Sequence, residues 1–164
     1  MDNTHPRSFW LDEALTQEQS EPCPPLHSDR RADVCIVGGG YTGLWTALQL
    51  KANDPSLDVV LIERDLCASG ASGRNAGVLM SWWSKFLSLR TVCGDEEALR
   101  LAQASEDAVS SVIQLCTEHD IDAHIRQDGW LWAASNQAQV GLWNETIDSI
   151  GRHGLSPIVE WSQA

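Results

Sequence analysis

Asp33-Val-Cys-Ile-Val-Gly-Gly-Gly-Tyr-Thr-Gly-Leu-Trp-Thr-Ala47, followed by Asp58-Val-Val-Leu-Ile-Glu-Arg64, is the stretch from which the fold can be read. Val34 to Val37 is a short apolar run between a charge and a glycine cluster, the pattern of a strand buried in a parallel sheet. From Tyr41 to Lys51, the residues Leu44, Ala47, Leu48 and Lys51 recur at helical steps, and Trp45 widens the apolar face. Asn53-Asp-Pro55 stops that helix, and Val59 to Ile62 reads as a second buried strand. A strand, helix and strand this close together predict a right-handed parallel crossover and an α/β fold.

Gly38-Gly-Gly-Tyr-Thr-Gly43 has the spacing GxGxxG. Gly38 permits a tight turn out of the strand, Gly40 lets backbone approach a pyrophosphate, and Gly43 lets the helix pack on the strand. Tyr41 and Thr42 open the helix, whose N-terminal amides and dipole suit phosphate. Glu63 lies twenty positions past Gly43, where an acid that accepts ribose hydroxyls belongs. The bland alternative is a glycine-rich turn with Glu63 a solvated strand end. The strand, the helix, the second strand and the acid together favour a dinucleotide grip. Spacing alone leaves NAD and FAD both open.

The segment after Arg64 bears on that choice. Cys67-Ala-Ser-Gly-Ala-Ser-Gly-Arg-Asn-Ala-Gly77 is too polar for a strand and too rich in glycine for a stable helix. A second loop of this kind, with Ser72 and free backbone amides, could meet another part of a long cofactor. An ordinary surface loop reads equally well.

The flanking sequence is simpler. Residues 1–31 form a lead-in, with a short helical turn over Asp12 to Gln19 and a break at Glu21-Pro-Cys-Pro-Pro25. Phe9, Trp10 and Leu11 would anchor it as an arm. Met80 to Leu89 is an aromatic segment of undecided type. Asp95 to His119 predicts the longest helix, with carboxylates at its positive end. Its apolar face is Ala98, Ala102, Val109, Val112, Ile113 and Cys116. Ile121 to Ile125 and Trp130 to Ala134 predict a hairpin about Gln127-Asp-Gly129. Gln137 to Arg152 predicts a further helix, capped by Gly154, and Pro157 to Trp161 the start of a strand.

Composition narrows the class of protein. With 164 residues, 43% of them apolar, the chain can bury a core. A formal charge of −12 argues against nucleic acid or an anionic membrane as partner. No run approaches the length of a membrane span, and Met1 to Ser20 lacks the apolar core of a secretory signal. Cys23, Cys35, Cys67, Cys93 and Cys116 form no CxxC pair, and read as reduced thiols, mostly core, of a cytoplasmic protein. No metal site is expected. His119 and His124 read as boundary histidines, and His153 as one suited to a helix C-terminus.

The glycine motif, Glu63-Arg64 and Gly70-Ala-Ser-Gly-Arg-Asn75 resemble the N-terminal part of FAD-dependent amine and amino-acid oxidoreductases. This is the D-amino-acid oxidase, glycine oxidase and sarcosine oxidase family. Within it the chain is most similar to the gamma-glutamylputrescine oxidase-like group. Ser81-Trp-Trp, Glu118-His-Asp-Ile-Asp and Gly129-Trp-Leu-Trp-Ala-Ala add to the likeness, which runs from Phe9 onward.

The resemblance implies FAD as cofactor. Gly38, Gly40 and Gly43 match its pyrophosphate turn, Glu63 its adenosine ribose, and Arg64 lies beside the adenine. Ser72, Gly73 and Asn75 match the loop that runs under the pyrophosphate toward the flavin. The family's Asn-Gly-Gly is here Asn75-Ala76-Gly77; a positive φ at Ala76 would cost about 1 kcal/mol or more. The resemblance further implies a Rossmann-like FAD-binding unit over residues 32–119, and the beginning of an α+β substrate domain over 120–164. Family members are much longer, so the chain reads as truncated. The implied reaction is hydride transfer from a small-molecule amine or amino acid to flavin, with oxygen as acceptor. No catalytic residue is identified. A truncated chain without catalysis and an NAD-dependent dehydrogenase stand as alternatives.

Overall fold

The computed structural model describes residues 7–18 and 23–161, and the chain divides into two compact units, Met1–Val78 and Leu79–Ala164. Each unit is considered by itself.

The first unit opens with helix α1, Phe9–Gln17, which Ser8 starts by accepting the Leu11 amide at 3.2 Å. The helix thus begins three residues before the predicted turn at Asp12, because the capping hydroxyl lies upstream. Strand β1 spans Val34–Val37, helix α2 spans Tyr41–Asn53 and strand β2 spans Val59–Ile62. The two strands are parallel, with Val34 opposite Val59 and Val37 opposite Ile62. The expected order of strand, helix and parallel strand is therefore present.

Local chemistry sets its limits. Lys51 at the end of α2 donates to the carbonyls of Pro55 and Leu57 at 2.5 and 2.8 Å, a cation satisfying acceptors beyond a helix C-terminus. Asp54 then accepts both the amide and the hydroxyl of Ser56, folding the chain back toward β2. Asp33 accepts the Asp58 amide at 2.9 Å, tying the two strand entries together.

The reading of β1 and β2 as strands buried on both faces is corrected. Ile36 faces α2, within 3.3 Å of where a Cβ on Gly43 would stand. The alternate side chains Cys35 and Val37 face away, and Val37 is 81% exposed. Period-two geometry puts neighbouring residues of β1 on opposite faces, whereas all four residues of β2 are half-buried and none is fully buried.

The second unit is helical. A short 3-10 turn, Trp83–Lys85, leads into α3, Phe86–Cys93, and α4 follows at Asp95–Glu118. Helix α5 spans Asn144–Gly151. Its core joins Trp83 and Phe86 to Ala98 and Ala102 of α4 and Ile150 of α5. The two alanines, four residues apart on one face, let α3 approach closely. The Trp83 indole reaches Glu106 at 2.9 Å, so its polar edge is paired. Arg90 donates to the Ser149 hydroxyl and lies 3.7 Å from both Asp95 and Glu145.

Three expectations for this unit are corrected. No strand forms over 121–134. His124 adopts φ +49, and its amide turns to the Asp122 carboxylate at 3.3 Å, so local bonds replace a ladder. The helix expected over Gln137 to Arg152 is broken, because Gly141 takes φ +79 between a 3-10 turn at Gln137–Gln139 and α5. No strand is assigned among the described residues after Pro157. The cysteines are also not core: four are exposed and Cys116 is half-buried.

Candidate functional site

The site is a turn that three separated segments of the first unit share. Gly38-Gly-Gly40 leaves β1 and enters α2, with Gly40 as its N-cap residue. Gly40 offers no capping side chain, and the Ser72 hydroxyl takes that place from the second loop, accepting the Tyr41 amide at 3.1 Å. Among the described residues, the amides of Gly40, Thr42 and Gly43 find no acceptor. They are donors at the positive end of α2, of the kind that bind phosphate.

Two glycines of the motif are fixed by space. A Cβ on Gly43 would run into the Gly38 carbonyl oxygen, and one on Gly40 would stand 2.9 Å from Ser72 Oγ. A side chain at position 43 is therefore excluded by backbone, and one at position 40 would require the Ser72 hydroxyl to move. Gly73 is constrained in the same way, against the Ala68 carbonyl.

Glu63 ends β2 beneath this turn. Its Oε2 accepts the Gly39 amide at 2.7 Å, and its Oε1 accepts the amides of Arg64 and Asp65 at 2.8 and 3.2 Å. These bonds hold the carboxyl below its ordinary pKa, the Gly39 amide contributing most, then Asp65, against an opposing effect of burial. A carboxylate has about four lone-pair positions. Three are used, which leaves Oε2 able to accept a hydroxyl such as that of a ribose. Arg64 is exposed, and its amide rather than its guanidinium meets Glu63.

Asn75 lies in the second loop. Its amide nitrogen donates to the Ser72 carbonyl at 2.6 Å and to the Tyr41 hydroxyl at 3.0 Å, while its Oδ1 accepts the Gly77 amide at 2.7 Å. Tyr41, Ser72 and Asn75, expected from different parts of the sequence, thus meet at one helix terminus. The strain anticipated at Ala76 does not arise, because the positive φ of +74 falls on Gly77 instead.

Sequence reasoning missed Gly39, and it expected Trp10 only as an arm anchor, without its partner in the second loop. Gly39 carries the bond to Glu63, and a Cβ on it would run into Cys67 Sγ. Three consecutive glycines, where the motif needs only the outer two, were the available signal. Trp10 reaches the second loop, its indole donating to the Asn75 carbonyl at 3.0 Å. Nothing local in the sequence marks that pairing across 65 positions.

Among the described residues no group of three or more His, Cys, Asp or Glu side chains is placed to hold a metal ion. No helix among them is long and apolar enough to cross a membrane.

Comparison with known proteins gives the following. The family described as FAD dependent oxidoreductase matches residues 33–164. Gamma-glutamylputrescine oxidoreductase of Escherichia coli (strain K12) is 30% identical over 151 residues, covering 92% of this chain and 34% of the relative. Probable oxidoreductase OrdL of Rhizobium meliloti (strain 1021) is 36% identical over 120 residues, 71% of this chain and 27% of the relative. L-2-hydroxyglutarate dehydrogenase of Indibacter alkaliphilus is 28% identical over 124 residues, 74% of this chain and 28% of the relative. The chain thus spans about a third of the length of the curated relatives it matches. No solved structure matches it.

Proposed function

The chain belongs to the FAD-dependent oxidoreductase family, and from that premise we propose that it grips the ADP half of FAD in an enzyme oxidising the C–N bond of an amine or amino acid. The family's cofactor is FAD, which displaces the NAD alternative. One observation carries the assignment of residues: Glu63 and Ser72 converge on the same glycine turn, one beneath it and one at its helix terminus.

In this reading the amides of Gly40, Thr42 and Gly43 hold the pyrophosphate, with the α2 dipole behind them. Gly38, Gly40 and Gly43 keep the approach clear, and Tyr41 positions Asn75 through its hydroxyl. The free lone pair of Glu63 takes a ribose hydroxyl, and Arg64 stands beside the adenine. Ser72, Gly73 and Asn75 continue the surface toward the flavin. FAD, when bound, supplies the hydride acceptor, with oxygen as the final oxidant. The chain's own residues bind and orient; among the described residues no acid or base has a position that supports a proton transfer.

The amine or amino-acid substrate rests on the likeness to gamma-glutamylputrescine oxidoreductase. A hydroxy-acid substrate is the second reading, favoured by the likeness to L-2-hydroxyglutarate dehydrogenase. Residues 32–119 belong, in this proposal, to the FAD-binding domain, and 120–164 to the start of an α+β substrate domain. A cytoplasmic location completes it, supported by five cysteines that are all free.

The test is titration of the chain with FAD, followed by flavin fluorescence. Saturable quenching that ADP reverses is expected, because the residues named hold the ADP half. Absence of quenching, or preference for NADH, would overturn the reading. Anaerobic bleaching of bound flavin by amines rather than by 2-hydroxy acids decides between the two substrates.

A further inference from the structure

We infer that Trp10 is a positioning residue of the cofactor site, and that α1 acts as a strap holding the second nucleotide loop in its binding shape. The inference rests on the FAD reading above, and extends the site to a helix that precedes the glycine motif by more than twenty residues.

Trp10 makes two different contacts with the end of the loop. Its indole N–H donates to the Asn75 carbonyl at 3.0 Å. Its six-membered ring lies over Gly77, where a Cβ would stand 2.9 Å from Cζ2. The ring therefore fills the space that a side chain at position 77 would need, while the N–H fixes the carbonyl two residues earlier. Phe9 braces the indole edge-on at 5.0 Å.

The consequence passes through Asn75. Its side chain bonds the Tyr41 hydroxyl, the Ser72 carbonyl and the Gly77 amide. Ser72 in turn caps the Tyr41 amide. Anything that fixes the Asn75 backbone thereby fixes the hydroxyl at the phosphate end of α2. Of the remaining bonds, the Ala68 amide ties the start of the loop to the Gly39 carbonyl at 2.9 Å, while those nearer its end are local, such as Arg74 Nε to the Ser69 carbonyl at 3.0 Å. A loop of this composition has a large conformational freedom to lose on binding. A strap that removes part of that freedom beforehand raises affinity.

Two variants separate the contacts. Trp10→Phe keeps a ring over Gly77 and loses the donor; Trp10→Ala loses both. Amide exchange over residues 71–78 is measured on the FAD-free chain, and FAD affinity by fluorescence titration. Faster exchange confined to that loop is expected in both variants, with FAD binding about fivefold weaker in Trp10→Phe, the effect of one neutral hydrogen bond. Trp10→Ala should weaken it further. A merely structural role would instead lower the denaturant midpoint without this graded loss. Wild-type exchange or wild-type FAD affinity in both variants overturns the inference. If the unaltered chain takes no FAD, the cofactor reading is what fails. The exchange comparison, made without FAD, still decides whether Trp10 fixes the loop.

Discussion

The carboxylate of Glu63 accepts the amide of Gly39 at 2.7 Å, which fastens the acid that ends β2 to the turn that ends β1. The residue expected to face a ribose therefore also shapes the turn that receives the phosphates. That double use makes the charge of Glu63 a matter of folding as well as of binding.

Acid should release this fastening. The Glu63 carboxyl lies below its ordinary value in the folded chain, chiefly because of the Gly39 amide. A depressed folded value means that the unfolded chain binds its proton first as pH falls. The stabilisation is complete above the ordinary glutamate value, about 4.3, and is lost as pH drops through the folded value. The gap in urea midpoint between wild type and Glu63→Gln should stay constant at neutral pH and narrow as pH falls below the ordinary glutamate range. A gap that is the same at acid and neutral pH would show that the charge plays no part.

The glycines of the first unit should differ sharply in tolerance. Gly43→Ala forces a Cβ into the Gly38 carbonyl and to 3.3 Å from Cγ2 of the half-buried Ile36. We expect a loss of about 1–3 kcal/mol, as for overpacking elsewhere. Gly70→Ala meets nothing within 4 Å and has an ordinary φ of −80, so its urea curve should overlay that of wild type. Equal effects of the two substitutions would contradict the close approach of α2 to β1.

Phe86→Ala should unfold the second unit far more readily. Phe86 is fully buried at the centre of the cluster with Trp83, Ala98, Ala102 and Ile150. Truncating a buried aromatic costs about 3–5 kcal/mol. Denaturant unfolding followed by tryptophan emission should shift accordingly, since Trp83 reports on this core. The exposed Val92, on the same helix, should tolerate alanine within about 0.5 kcal/mol.

The failures of sequence reading have a common origin. Ile121 to Ile125 alternates as a strand does, yet Asp122 captures the His124 amide and the segment turns instead. Two strands alone are marginal in water, so short-range side-chain bonds decide. At Gly141 a left-handed conformation separates a 3-10 turn from α5 where periodicity would have run a single helix.

By itself, the sequence determined the crossover, because each part of it is specified locally. Apolar runs make β1 and β2, helical periodicity makes α2, and GxGxxG with an acid twenty residues later marks the turn. Only the tertiary structure decided what closes that turn. Ser72 supplies the cap Gly40 lacks, Glu63 bonds Gly39, and Trp10 reaches Asn75 across 65 positions. The reason is physical: a backbone N–H donates to any well-placed oxygen, so its partner is chosen by how distant segments pack, which no local pattern records.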